Sequence, residues 1–303
     1  MTNMTDLQRF FREKFPDTVL LFEEPLSEHT SFRIGGPCEI LAFPKSTGEM
    51  GDLLRAAKQT GIEPAFLGAG TNVLARDEGR RGLVICTKDS LKGVERTGET
   101  TIRAEAGVSM ARLANFAQSL GLNGLTFAHG IPGTVGGGLM MNAGAYGGEM
   151  KQVSAATEFM TLDGEPKTYS GEAQEFSYRH SAFSEKKGVI LAGTFALTPG
   201  DPEKIREEMR TLAQKRRASQ PLELPSAGST FKRPQGGYAA ALIDQAGLKG
   251  LCIGGAAVSE KHAGFVVNLG GATASDVLAL IREIRRRVLE TSGILLEPEI
   301  RLL

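Results

Sequence analysis

The stretch "GIPGTVGGGLMMNAGAYGG", residues 130–148, holds eight glycines in nineteen positions and no charge before Glu149. So little side chain packs poorly, and a run of this kind is kept for what its backbone does. Glycine reaches φ > 0 and lets another group approach the main chain closely. The two familiar phosphate loops do not account for it: "GGGLMM" fails GxGxxG at the third glycine, and the chain contains no GxxxxGK[ST]. A second glycine loop, "LGAGTNVLARDEG" (67–79), also fails GxGxxG. Its Gly68 and Gly70 can present main-chain N–H groups in a concave nest suited to phosphate oxygens, and Thr71 and Asn72 add short polar side chains. Alone this loop reads as a tight turn. Beside "GIPGTVGG" and "NAGAYGG", with Thr134 and Asn142 nearby, it makes one of two neutral, glycine-lined surfaces. The pair suits a flat ring and a pyrophosphate, so a large cofactor is expected to lie between two adjacent α/β units.

Periodicity around these loops supports such units. Leu7, Phe10 and Phe11 predict a short amphipathic helix, and "CEILAFP", "PAFLGAG" and "GLVICT" read as buried strands. Met50, Leu53, Leu54 and Ala57 recur at helical spacing with Gly61 as a stop. A second unit follows: strand "TIRAEAG", a helix capped by Ser109 and ended by Gly121, the glycine-rich stretch, then strands "ATEFMTL" and "GVILAGTFAL". In the third region Asp201 caps a helix, "GYAAALIDQAG" is another, and Ser275 is expected to cap a long helix ended by Gly293. "AGFVVNLGG" and "LLEPEIRLL" read as strands. The expected domains are 1–92, 93–200 and 201–303.

Composition narrows the function classes. With 35 basic and 35 acidic residues the chain is neutral, so a broad nucleic-acid face is not expected. Its 38 glycines exceed the roughly 21 that an average near ~7% would give. Cys38, Cys86 and Cys252 are far apart in apolar runs and read as buried free thiols of a reducing cytoplasm. No CxxC or HExxH spacing exists and the four histidines are scattered, so no metal is expected. "MTNMTDLQRFFREKFPD" lacks the apolar core of a signal peptide, and no run approaches the ~18 residues of a membrane span.

Three further residues can carry chemistry: Arg179 in "FSYRHSAF", Ser229 in "PSAGSTFKRP" and Glu299 in "LLEPEIRLL". Singly, each reads more simply as a surface charge, a turn serine and an exposed strand position.

In combination the motifs resemble the UDP-N-acetylenolpyruvoylglucosamine reductase family. The residues that carry the likeness are "HTSFRIGG" (29–36), "LGAGTNVL" (67–74), "GIPGTVGGGLMMNAGAYG" (130–147), "SYRHSAF" (177–183), "PSAGSTFKRP" (225–234), "DQAGLKG" (244–250), "GGAAVSEKHAGFVVN" (254–268) and "LEPEIR" (296–301). They run in order along nearly the whole chain. The resemblance implies an α+β and α/β multidomain protein: an FAD-binding fold of the vanillyl-alcohol-oxidase (PCMH) type made of two α/β subdomains, with a C-terminal α+β substrate-binding domain. It implies a cytoplasmic monomer of peptidoglycan synthesis with no nucleic-acid partner. Its FAD is non-covalent, NADPH is the reductant, and UDP-N-acetylglucosamine enolpyruvate is reduced to UDP-N-acetylmuramate.

Carried over residue by residue, the cofactor set is Arg33, Gly68, Ala69, Gly70, Thr71, Asn72, Gly130, Ile131, Pro132, Gly133, Thr134, Gly136, Gly137, Asn142, Ala143 and Gly144. Ser229 becomes the proton donor to C2 after hydride reaches C3, while Arg179 and Glu299 stabilise or help protonate the enol intermediate. A cation near the developing oxyanion lowers the barrier, and a hydroxyl within hydrogen-bond reach supplies the proton. Lys232, Lys261 and His262 are candidates for substrate contact. "GAGTN" departs from the family's common GGGSN by two methyl groups. The chain also passes from "SYRHSAF" straight to "SEKKGVILAG", and so matches the shorter, second type that lacks the substrate-covering tyrosine loop.

Two other readings fit the residues. An oxidase of the same flavin fold would use O₂, although Gly68–Leu74 holds no histidine for a covalent flavin. A non-catalytic flavin or sugar-nucleotide module would bind without turnover.

Overall fold

The computed structural model describes residues 4–303. Residues 1–3, which open the N-terminal stretch read above as no signal peptide, lie outside the described residues. The chain forms two compact units that are discontinuous in sequence. One comprises the residues up to Glu23, Glu39–Ala69 and Arg81–Lys215; the other comprises Glu24–Cys38, Gly70–Arg80 and Arg216–Leu303.

The first unit opens with helix Asp6–Lys14, started by a capping box in which Thr5 Oγ1 accepts from Gln8 N–H and the Gln8 side chain accepts from Thr5 N–H. Ser46 caps helix Thr47–Gln59, and Gly61 follows at φ +70°. Met50, Leu53, Leu54 and Ala57 of this helix share a core with Phe11, Ile40, Ala42, Leu83 and Ile85. The strands there lie in the order Val19–Pro25, Pro37–Phe43, Arg80–Cys86, Ala65–Leu67, and the last two pair in parallel, as a β-α-β unit requires. The other half of this unit differs from a β-α-β unit. Its five strands, Pro166–Ser170, Ser154–Thr161, Gly188–Ala196, Thr101–Glu105 and Val94–Arg96, pair antiparallel throughout. Alternation marks a strand but carries no information on its direction.

The glycine-rich stretch contains a helix that its sequence conceals. Val135–Met140 is helical, with Thr134 Oγ1 accepting from Gly137 N–H at 3.4 Å as its cap. The glycines let it approach its neighbours. A Cβ on Gly136 would lie 3.0 Å from Ala106 Cβ, and one on Gly138 would lie 2.8 Å from Met110 Sδ. Strands Gly144–Ala145 and Gly148–Glu149 form a hairpin turned by Tyr146 (φ +53°) and Gly147 (φ +86°), the left-handed pair that a two-residue I′ turn needs. A Cβ on Gly148 would stand 2.5 Å from Phe127 Cδ1. Gly137 is different, since a Cβ there would meet only Thr134 Oγ1, at 3.7 Å. Internal packing therefore accounts for several of the glycines, and the expectation that the whole stretch is bare for a ligand narrows to those without such neighbours.

The second unit packs helix Ala274–Ser292 through Val277, Leu280, Ile281, Ile284 and Val288 in a core with Phe32, Ile34, Leu74, Val258, Val266 and Leu296. Its sheet runs Ser226–Ser229, Phe265–Asn268, Ala256–Val258, Cys252–Ile253, all antiparallel. Three expectations are corrected here. The helix cap is Thr273, in a capping box with Asp276, while Ser275 lies inside the helix. Cys252 is exposed, whereas Cys38 and Cys86 are buried. Of "LLEPEIRLL", Arg301–Leu302 is the paired strand, parallel to Val73–Leu74. The divisions expected at residues 92 and 200 both fall inside the first unit, which carries two cores.

Asp77 explains why Gly70–Arg80 joins the second unit. Its carboxylate accepts from Ala274 N–H (2.6 Å), Ser275 N–H (2.9 Å) and Ser275 Oγ (2.8 Å), covering the first turn of the long helix. Burial opposes ionisation, but these hydrogen bonds outweigh it and hold the carboxyl below its ordinary value of 3.8. A depressed carboxylate contributes stability above the unfolded-state value and loses it as pH falls through the folded one. Asp77→Asn is therefore expected to lower the melting temperature at pH 7, and the gap from the parent is expected to narrow as the pH falls below 3.8. Parallel melting curves across pH check this; a gap of constant size would contradict it. Among the described residues no helix is long and apolar enough to cross a membrane.

Candidate active site

In the first unit, Gly68, Thr134, Asn142, Gly144 and Arg179 are tied into one network. A Cβ on Gly68 would press 2.6 Å from Thr134 Oγ1, so the loop and the glycine helix touch through a position that only glycine allows. The Gly68 carbonyl accepts from Cys86 Sγ at 3.7 Å; burial pushes that thiol up to about 11, which makes it an inert filler. Asn142 is completely buried at φ +42° and its side chain is fully used. Its Nδ2 donates to Ser177 O (2.9 Å) and Glu149 Oε2 (3.1 Å), and its Oδ1 accepts from Lys151 N–H (2.9 Å). Asn142, placed by its sequence at the cofactor, thus fastens the glycine-rich stretch to the segment carrying Arg179.

Ser177 and His180 exchange main-chain hydrogen bonds of 3.1 and 3.2 Å, which sets Tyr178 and Arg179 at the tip of a tight turn. Arg179 sits at φ +53°, its guanidinium 5.2 Å from the exposed Tyr178 ring, with Nη2 donating to Gly144 O at 3.4 Å. Ala143 N–H is engaged with Gly138 O (2.8 Å), and Ile131 N–H with Ala128 O (3.1 Å).

In the second unit, residues 226–232 run between two partners. On one side Ser226 and Ser229 pair with Val267 and Phe265, and Thr230 N–H donates to Gly264 O at 2.8 Å. On the other, Glu299 N–H donates to Thr230 O (2.8 Å), Lys232 N–H donates to Glu297 O (2.8 Å), and Phe231 faces Pro298. Ser229 and Glu299 thus come onto adjoining segments, Ser229 exposed and Glu299 half-buried. The second half of the glycine loop joins them: Asn72 Nδ2 donates to Glu299 O, and Ser31 Oγ bonds both Gly70 O (3.3 Å) and Ser226 O (2.6 Å). Ser31, in "HTSFRIGG", is a residue that sequence reasoning did not single out.

Arg33 is exposed at φ +55°. Lys232 is ion-paired with Glu297. Lys261 Nζ donates to Arg217 O at 2.8 Å. His262 Nδ1 accepts from Gly264 N–H at 3.2 Å, its ring stands against Phe265, and burial lowers its pKa. These last two residues therefore shape the turn beside Ser229.

Two observations bear on a cofactor. Arg33, Asn142, Tyr146 and Arg179, all in or beside the candidate segments, are among seven non-glycine residues at positive φ within the described residues. Such conformations cost about 1–3 kcal/mol each and gather at functional sites. Moreover, none of the described residues accepts a hydrogen bond from the main-chain N–H of Gly70 or of Thr134, although both residues are buried. A buried N–H left unpaired costs about as much as a lost hydrogen bond, so each of these groups, within its own unit, suits an acceptor oxygen of a bound ligand.

Comparisons with known proteins agree with this layout. Residues 38–170 match the family model described as an FAD binding domain, and residues 220–303 match that of the UDP-N-acetylenolpyruvoylglucosamine reductase C-terminal domain. The first range contains every expected cofactor residue except Arg33; the second contains Ser229 and Glu299. The UDP-N-acetylenolpyruvoylglucosamine reductase of Levilactobacillus brevis is 46% identical over 95% of this chain and 94% of its own length. A crystal structure of the reductase from Thermus caldophilus superposes with a TM-score of 0.79 at 34% identity, covering 94% of this chain and 98% of that one. Alkyldihydroxyacetonephosphate synthase shares the fold alone, with a TM-score of 0.50 at 15% identity over 66% of this chain and 42% of its own. At this identity over nearly its whole length, the chain belongs to the UDP-N-acetylenolpyruvoylglucosamine reductase family of oxidoreductases and carries an FAD-binding domain.

Proposed function

We propose that the protein reduces UDP-N-acetylglucosamine enolpyruvate to UDP-N-acetylmuramate with NADPH, as a cytoplasmic step of peptidoglycan synthesis. The observation that carries the reading is the placing of Ser229 and Glu299 on adjoining segments, within the range that matches the reductase C-terminal domain. FAD, when bound, would supply the two-electron hydride chemistry that links NADPH to C3 of the enolpyruvyl group. The chain's residues do the rest. Main-chain N–H groups of the glycine loops hold the pyrophosphate, with Arg33 and the other expected cofactor residues around it, Asn72 through its main chain alone. Arg179 stabilises negative charge that develops on the substrate carboxyl group, Ser229 gives its proton to C2, and Glu299 assists. Lys232, Lys261 and His262 shape the sugar-nucleotide side. The finer division into 1–92, 93–200 and 201–303, and a monomeric state, belong to the same proposal.

The purified protein is expected to be yellow and to oxidise NADPH only when the enolpyruvyl substrate is present. A colourless protein that FAD does not reconstitute would overturn the reading, and rapid reoxidation by air alone would replace it with an oxidase.

A further inference from the structure

Asn72 is more than a short polar side chain of the glycine loop. Its Nδ2 donates to the main-chain oxygen of Glu299 at 3.2 Å, and its own carbonyl accepts from Arg301 N–H at 2.9 Å. Glu299 N–H donates in turn to Thr230 O at 2.8 Å. Both main-chain polar groups of Glu299 are therefore fixed, one by the glycine loop and the other by the residue after Ser229. The contact continues as the short parallel pair of Val73–Leu74 with Arg301–Leu302, and Leu303 N–H donates to Leu74 O at 3.0 Å. Before that pair, the segment is also held by the bridge of Phe231 with Pro298, by Lys232 N–H donating to Glu297 O at 2.8 Å, and by Arg285 Nε donating to Leu296 O at 2.9 Å. Among these restraints the Asn72 side chain ties Glu299 itself to the glycine loop.

Resting on the reaction proposed above, we propose that Asn72 is a positioning residue: its amide sets where the Glu299 carboxylate stands with respect to Ser229. The glycine loop and the two proton-handling residues then form one mechanical element. A reacting group displaced by about 1 Å can cost on the order of 10²-fold in rate, so an anchor of this kind matters although it touches no substrate.

The test uses the flavin-loaded protein with Asn72→Ala and Asn72→Asp. An aspartate keeps the shape, but its ionised side chain cannot donate. Both variants are expected to keep the parent's flavin content and spectrum, and to slow reoxidation by the enolpyruvyl substrate about 10–100-fold, with the loss in kcat rather than KM. In a Glu299→Gln background the same changes are expected to add less than about threefold, because the group being positioned is gone. Loss of flavin, an equal slowing of reduction by NADPH, or full additivity with Glu299→Gln would each overturn the proposal and return Asn72 to a cofactor contact. If the unaltered protein fails to turn over this substrate, it is the proposed reaction that fails. Hydrogen exchange at Glu299 and Arg301 still reads the anchor: faster exchange in both variants supports it, and unchanged exchange overturns it.

Discussion

Alanine at position 229 is expected to leave the flavin reducible by NADPH and to slow its reoxidation by substrate about 10²–10⁴-fold, the usual contribution of a positioned acid. The local backbone is built to present this hydroxyl. Gly228 stands at φ +75° with no atom within 4 Å of an added Cβ, and the pairing with strand Phe265–Asn268 shifts register between Ser226 and Ser229. An irregularity of this sort re-aims a side chain at the end of a strand. The next residue, Thr230, is buried, and its Oγ1 accepts from Val266 N–H at 3.0 Å, so it is committed to the fold. Ser229 is exposed, and its truncation is expected to change stability by no more than about 0.5 kcal/mol. An aliphatic hydroxyl is a poor acid, and the step depends on charge around it; Glu299 on the adjoining segment makes that setting sensitive to the neighbour's position. Rapid-mixing measurement of the two half-reactions separates the roles. If reoxidation proceeds at the parent's rate, Ser229 is not the donor.

Much of the fold was legible from local signals. The cap at Ser109, the stops at Gly61, Gly121 and Gly293, and the apolar faces of the long helices all stand where the sequence put them. What escaped was set by distant contacts. Helix Val135–Met140 is hidden because three successive glycines argue against helix; close packing on Ala106 and Met110 overrides that propensity. The segments Glu24–Cys38 and Gly70–Arg80 join the second unit through bonds such as Asp77 to the helix start and Asn268 Nδ2 to Phe32 O, which have no local periodicity. The cap at Thr273 was missed since Ser275 looks equally able, and only the capping box with Asp276 decides between them. The site followed the same pattern. Arg179, Ser229 and Glu299 are recognisable in motifs, whereas the work of Asn142 and Asn72 is done on carbonyls 35 and 227 residues away.

Two alanine substitutions in the glycine-rich stretch are expected to fail in opposite ways. Gly148→Ala places a methyl group 2.5–2.8 Å from Cδ1, Cγ and Cβ of Phe127, near the root of a buried ring that cannot swing aside. Overpacking of this kind costs about 1–3 kcal/mol, and the loss is expected with and without flavin. Gly137→Ala meets only Thr134 Oγ1 at an ordinary 3.7 Å, lies within a helix, and replaces the poorer helix former by the best, a gain of up to about 1 kcal/mol for the empty protein. Its methyl group nevertheless stands on an exposed face where the main chain is otherwise bare. If that face is where the cofactor approaches, Gly137→Ala keeps or raises the melting temperature of the flavin-free protein and weakens FAD binding at least tenfold, a loss of about 1.4 kcal/mol. Melting curves of the two variants with and without FAD, together with a flavin titration, distinguish the cases. Parent-like flavin affinity in Gly137→Ala would mean that the cofactor does not approach this bare helix face.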